Sequence, residues 1–186
     1  LQDKNKESTL IADIGTGSGA IAITLAAETQ LPVIAIDIDS QALEVAKRNA
    51  KNLIPEHLID FQCGNLAQPL ISIFKTIQSQ HKTHTSSTFP FKTLIIAANL
   101  PYLTESKMET LQPEVQKFEP RLALVAGIDG LDAYWELFGQ LRTHRSLLPP
   151  ELNVFIEIDP EQRLGCEKFI LRHFQEANIT VLTDLP

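Results

Sequence analysis

The junction at residues 9–20 constrains the fold more than any other feature. The run Thr9-Leu-Ile-Ala-Asp-Ile14 is apolar and stops at Gly15-Thr16-Gly17-Ser18-Gly19, after which Ala20–Thr29 is rich in Ala, Ile and Leu. A short continuous apolar run suits a strand buried on both faces, and the stretch after the glycines suits a helix. Three alternate glycines between them remove three Cβ atoms, so the backbone can turn tightly and touch a ligand. The helix start beyond offers N–H groups and a positive dipole end to an anionic group.

The same alternation continues along the chain. Further strands are predicted at Pro32–Asp37, Leu58–Gln62, Thr93–Ala98, Leu152–Ile158 and Ile179–Leu182. Ser40 is expected to cap a helix that turns Leu43, Ala46, Ala50 and Leu53 inward and pairs Glu44 with Arg48 outside. Asp129–Leu148 places Leu131, Tyr134, Leu137, Phe138 and Leu141 on one face, and Glu161–Phe174 reads as another helix. Strands alternating with helices mean an α/β protein with a doubly wound, mostly parallel, Rossmann-like sheet. Ligands of such sheets sit beyond the carboxyl ends of the strands, near the switch point. Motifs after strands one, two and four should therefore converge.

At 186 residues with 44% hydrophobic content, one domain spanning 1–186 is expected. Residues 75–92 interrupt the rhythm: they are polar and aperiodic, and read as a flexible surface insertion. His81 and His84 lie three apart within it with no other ligand nearby, so no metal site is expected. A net charge of -7 argues against a large nonspecific grip on nucleic acid or anionic lipid. The two cysteines, Cys63 and Cys166, fit reduced thiols in a cytoplasmic protein. No apolar run approaches the ~20 residues that span a bilayer, and no signal-peptide pattern opens the chain.

Asp37 lies 22 residues after Gly15 at the end of strand two, where its carboxylate could accept hydrogen bonds from both hydroxyls of a ribose. Gly15, Gly17 and Ala20 also satisfy the dinucleotide fingerprint G-x-G-x-x-G/A, which keeps a nicotinamide-dependent oxidoreductase open. Asp13 favours a nucleoside without pyrophosphate, because an acid beside the loop repels phosphate and attracts an ammonium group. Asn65, after strand three, has an amide that could accept from an amino group and donate to a ring nitrogen, with the apolar Leu66 beside it.

Asn99-Leu100-Pro101-Tyr102 follows strand four directly. An amide or aniline-like nitrogen is a poor nucleophile because its lone pair is delocalised. The Asn99 side-chain carbonyl and the Leu100 main-chain carbonyl could accept its two N–H groups and steer the lone pair towards an electrophile. Pro101 stiffens the loop, and Tyr102 could pack on a flat substrate and exclude water.

These motifs carry a resemblance. The crowded Gly15-x-Gly17-x-Gly19 is similar to the first motif of S-adenosylmethionine-dependent methyltransferases. The tetrapeptide resembles Asn-Pro-Pro-Tyr of amino methyltransferases, with Leu100 in place of the first proline, and equally a motif of ribosomal RNA adenine dimethyltransferases. The stretch from Leu111 to Tyr134, including Phe118-Glu119-Pro120-Arg121 and Gly127-Ile-Asp129-Gly130, tips the choice. So does Phe155-Ile-Glu157-Ile-Asp-Pro-Glu-Gln162, although the family usually has glycine where Asp159 stands. Both segments resemble the release factor glutamine methyltransferases. That resemblance implies S-adenosylmethionine as cofactor, held by Asp13, Gly15, Thr16, Gly17, Ser18, Gly19, Asp37, Asn65, Leu66 and Asn99. It implies a peptide chain release factor as partner, its Gly-Gly-Gln glutamine held by Asn99, Leu100, Pro101 and Tyr102, with Asn99 and Tyr102 as the catalytic pair. Family members also carry an N-terminal helical docking domain and a final strand, so the chain reads as a catalytic-domain fragment. Two alternatives stay open: a nucleic-acid adenine N6-methyltransferase, and a cofactor-binding fragment without activity.

Overall fold

The structure is a computed structural model that describes residues 8–81, 90–104, 107 and 125–183. The chain divides into two compact units, Leu1–Leu100 with Thr143–Glu157, and Pro101–Arg142 with Ile158–Pro186.

The first unit holds a five-stranded sheet: β1 (Thr9–Ile14), β2 (Val33–Asp37), β3 (Ile59–Cys63), β4 (Thr93–Ala98) and β5 (Glu151–Ile156). Its order is β3-β2-β1-β4-β5 with every pair parallel, which puts the switch point between β1 and β4. All six residues of β1 are buried, as its unbroken apolar run requires at the centre of a covered parallel sheet. Helix α1 (Ala20–Thr29) meets the sheet through Ala22 and Ala26, both without exposed surface, so its backbone can lie close to Ile11, Val33 and Ala35. Helix α2 (Ser40–Ala50) buries Leu43, Ala46 and Ala50. Leu53, expected on the same face, is 67% exposed because the helix has ended before it.

Local details differ from the sequence reading. Asp39, not Ser40, caps α2: its Oδ1 accepts from the Gln41 N–H at 2.8 Å. Glu44 pairs with Lys47 at 2.8 Å in place of Arg48. A helix absent from the sequence reading, α3 (Gln68–His81), buries Leu70, Ile71 and Phe74 at helical spacing, with Ala67 buried just before it. It takes in residues 75–81 of the supposed insertion; residues 82–89, with His84, lie outside the described residues, as does the His81 side chain.

The second unit contains α4 (Asp132–Thr143) and α5 (Arg163–His173). Tyr134, Leu137, Phe138 and Leu141 of α4 are buried together with Leu131, as the sequence spacing implied. Trp135 stacks on Phe169 of α5 at a centroid distance of 4.0 Å. Asp159 caps the turn before α5 and accepts from Lys107 Nζ at 2.8 Å, which gives the aspartate at this position a structural use. Cys166 is buried, and desolvation pushes its thiol up to about 11.

The expected sixth strand does not form. Residues 179–182 pair with no strand among the described residues, and Val181 and Leu182 are 43% and 85% exposed. A strand needs a neighbour's ladder of hydrogen bonds, which local apolar content does not supply.

Candidate functional site

The register brings the strand ends level. Ile14 is paired with Ile36 on one side and with Ala98 on the other, and Ala98 with Ile156. The glycine loop, Asp37 and Asn99 therefore leave adjacent strands at one height.

Gly15, Gly17 and Gly19 all have positive φ, at 75°, 54° and 85°. Their surroundings divide them. A Cβ on Gly19 would come within 2.9 Å of the Ala46 Cβ, and one on Gly15 within 2.8 Å of Leu100 Cδ2. Those two glycines close the loop against the protein. A Cβ on Gly17 would meet nothing within 4 Å, so that glycine faces open space.

Asp13 anchors the loop from below. It is 1% exposed, and its Oδ2 accepts from Thr16 Oγ1 at 2.6 Å and from the Ala22 N–H at 3.0 Å. Gly19, the helix N-cap residue, has no side chain, so Asp13 supplies the capping oxygen from the strand. Burial raises its carboxyl above the usual range; the bonds from Thr16 and Ala22 pull it back, and the charge on Asp37 pushes it up further. Oδ1 is buried with no hydrogen-bond partner. Turned inward like this, Asp13 braces the loop rather than offering its charge to an ammonium group.

Asp37 is half-buried, with Oδ2 accepting from the Gly17 N–H at 2.8 Å and Oδ1 from the Asp39 N–H at 2.9 Å. A carboxylate has about four lone-pair sites, so each oxygen can still take a hydroxyl. Ser18 is exposed, and its carbonyl accepts from Asn49 Nδ2 at 2.9 Å. That contact spans 31 residues and left no mark in the sequence.

After β3, the Asn65 carbonyl accepts from the Gln68 N–H and begins α3. Leu66 holds φ at 50°, a left-handed conformation that costs an L-residue roughly 1–2 kcal/mol. Ile38 went unremarked in the sequence although it follows Asp37 directly. It is 71% exposed, an apolar side chain held out at the carboxyl end of β2. The signal was available, since turns after a strand usually take polar residues.

Asn99 is exposed, and its Nδ2 donates to Glu157 Oε2 at 3.0 Å. Leu100 is 4% exposed and fills the space beneath Gly15, so leucine in place of proline serves to pack the loop. Pro101 and Tyr102 begin the second unit, where the Tyr102 carbonyl accepts from Gln162 Nε2 at 2.6 Å. Gly130, with φ at 73°, lies against that same carbonyl. Glu119 and Arg121 lie outside the described residues. A groove of about 560 Å³ lined by Gln62, Cys63, Gly64 and α3 includes none of the glycine loop, Asp37 or Asn99. Among the described residues, no helix is long and apolar enough to cross a membrane.

The chain is similar to known proteins in sequence and in fold. The family model described as ribosomal protein L11 methyltransferase (PrmA) matches residues 1–87. The release factor glutamine methyltransferase of Bacillus cereus is 36% identical over 96% of this chain and 56% of its own. That of Bacillus subtilis is 35% identical over 94% of this chain and 54% of its own. The chain thus spans about half the length of the curated relatives it matches. A crystal structure of a ribosomal protein L11 methylase from Lactobacillus delbrueckii subsp. bulgaricus superposes with a TM-score of 0.50 at 22% identity, covering 88% of this chain and 58% of that one. The L11 family model stops before Asn99, so its match rests on the half that carries the glycine loop. By sequence, over nearly its whole length, the chain is similar to the release factor glutamine methyltransferases, and its five-stranded parallel sheet flanked by helices is the Rossmann-like fold of that L11 methylase.

Proposed function

We propose that the protein transfers a methyl group from S-adenosylmethionine to the side-chain amide nitrogen of the glutamine in the Gly-Gly-Gln motif of a peptide chain release factor. The observation that carries the reading is the similarity to enzymes named for that activity along 96% of the chain, including β4, the tetrapeptide after it and β5. The fold fits the cofactor: Gly17 leaves open space where a side chain would stand, and Asp37 keeps lone pairs beside it.

In this reading Gly15, Thr16, Gly17, Ser18 and Gly19 cradle the cofactor, and Asp13 holds them in shape. Asp37 takes the ribose hydroxyls. Asn65 meets the adenine edge, while Leu66 and Ile38 cover its faces. The bound sulfonium supplies the electrophilic methyl. Asn99 Oδ1 and the Leu100 carbonyl accept the two N–H groups of the glutamine amide and oppose the loss of its lone pair to resonance. Pro101 stiffens this segment, and Tyr102 packs on the amide plane and excludes water. Once the methyl has moved, the nitrogen sheds a proton to solvent, so no side-chain base is needed beforehand. The site works in the cytoplasm, where release factors act. The acidic net charge of -7 fits a protein substrate better than RNA.

Mass spectrometry of a release factor co-expressed with the protein tests this. One added methyl on the Gly-Gly-Gln peptide is expected. Label from tritiated donor appearing in ribosomal RNA and not in release factor would replace the reading with an adenine methyltransferase.

A further inference from the structure

The bond between Asn99 and Glu157 joins two exposed residues 58 apart in sequence. Each stands one residue past the last paired position of its strand, Ala98 in β4 and Ile156 in β5, and the Glu157 N–H reaches the Ala98 carbonyl at 3.3 Å. The sheet therefore delivers a carboxylate to the side-chain amide on which the proposed chemistry turns.

An Asn amide has two nearly isosteric ends with opposite hydrogen-bonding character. With the oxygen towards a substrate amide it accepts N–H groups. Rotated by half a turn it presents an NH₂ group, which repels the substrate NH₂ and attracts the substrate carbonyl instead. In solvent, nothing selects between the two. An ionised carboxylate selects, because it only accepts and so can bond only the Nδ2 end. A charge drawing on Nδ2 also polarises the amide and makes Oδ1 a better acceptor.

We propose that Glu157 is a positioning residue: it locks the Asn99 amide with Oδ1 towards the substrate nitrogen and strengthens Oδ1 as an acceptor. This rests on the assignment of Asn99 to the substrate amide. It makes Glu157 part of how the protein chooses an NH₂ nucleophile over a carbonyl, acting through Asn99.

The experiment combines three measurements on the wild-type protein, Glu157→Ala and Glu157→Gln. The first is the nitrogen-15 spectrum of the Asn99 side-chain amide, assigned by its loss in Asn99→Asp. The second is methyl transfer to a release factor, and the third is binding of S-adenosylhomocysteine. Glu157→Ala should move the Asn99 amide signals and lower kcat about 10- to 100-fold, as loss of a charge-assisted bond implies. Cofactor affinity and melting temperature should stay near wild type. Glu157→Gln keeps an acceptor for Nδ2 and should recover part of the rate. Amide signals unmoved by Glu157→Ala, or an unchanged kcat, would overturn the proposal. So would a loss of cofactor binding that matches the loss of rate, which is what a merely structural role would give. Signals that move as expected in a protein that never methylates release factor would uphold the lock and discard the substrate.

Discussion

The carboxyl ends of β1 and β4 lie side by side, yet they are held in opposite ways. The loop after β1 is fixed from within: Asp13 and Thr16 are buried, Gly15 and Asp37 bond the backbone nearby, and Leu100 fills the space underneath. The Asn99 side chain after β4 stands exposed, with a hydrogen bond to Glu157. A site for a small cofactor can be rigid because its ligand is always the same size. On the proposed function the end of β4 takes part of another protein, and such a site must stay open. Failures at the two ends should therefore differ in kind.

The sharpest test sets Asn99→Ala against Asp37→Ala. Removing the Asn99 carbonyl should lower kcat about 100- to 1000-fold, the range seen when one preorganised transition-state partner is lost. Affinity for S-adenosylhomocysteine should change little. Asp37→Ala should instead weaken that affinity about 10- to 100-fold, through loss of charge-assisted bonds to the ribose. Calorimetry and single-turnover kinetics separate the two. Equal effects of both variants on affinity would erase the distinction between the ends.

The glycines sharpen the comparison inside the loop. Gly19→Ala forces a Cβ to 2.9 Å from Ala46 with φ at 85°, and should cost about 2–4 kcal/mol of stability from strain and overpacking together. Gly17→Ala meets no protein atom and should cost only the backbone strain, about 1–2 kcal/mol. Its larger effect should fall on cofactor affinity, since the new methyl enters the space assigned to the ligand. Urea unfolding beside calorimetry reads both. A Gly17→Ala protein that binds S-adenosylhomocysteine normally would mean that the open space serves something else.

What the sequence disclosed follows the same division. The run Thr9–Ile14, the glycines and Asp37 were legible because each signal is local: a strand buried on both faces has to be apolar throughout, and a left-handed turn calls for glycine. The inward role of Asp13 was not legible, because an acid before a glycine loop looks alike whether it faces ligand or helix. Only the 3.0 Å bond to the Ala22 N–H decides. Helix α3 escaped notice because Pro69 sits in its first turn and its outer face runs through Gln, Ser and Thr, which read as loop. The Asn49–Ser18 and Asn99–Glu157 contacts, 31 and 58 residues apart, depend on how elements pack. Residues 179–182 failed as a strand for a related reason, since apolar content is local and pairing is not.

The smallest expected effect concerns Asp13, and its sign is informative. Burial raises this carboxyl above its ordinary value of 3.8, so the folded protein binds that proton more tightly than the unfolded chain does. The penalty for holding the charge is fully present above the folded value. It fades as pH falls, and it is gone below the unfolded value. Asp13→Asn does not titrate, keeps one oxygen for Thr16 and Ala22, and places its NH₂ group where Oδ1 has no partner. Subtracting its unfolding free energy from that of wild type at each pH cancels most other groups. The difference should move in favour of wild type as pH is lowered from 7 towards 4. Movement the other way would mean that Thr16 and Ala22 stabilise the charge more than burial opposes it. The loop would then be held by an ion pulling on a helix end, and the contrast with β4 would lie in charge rather than in burial.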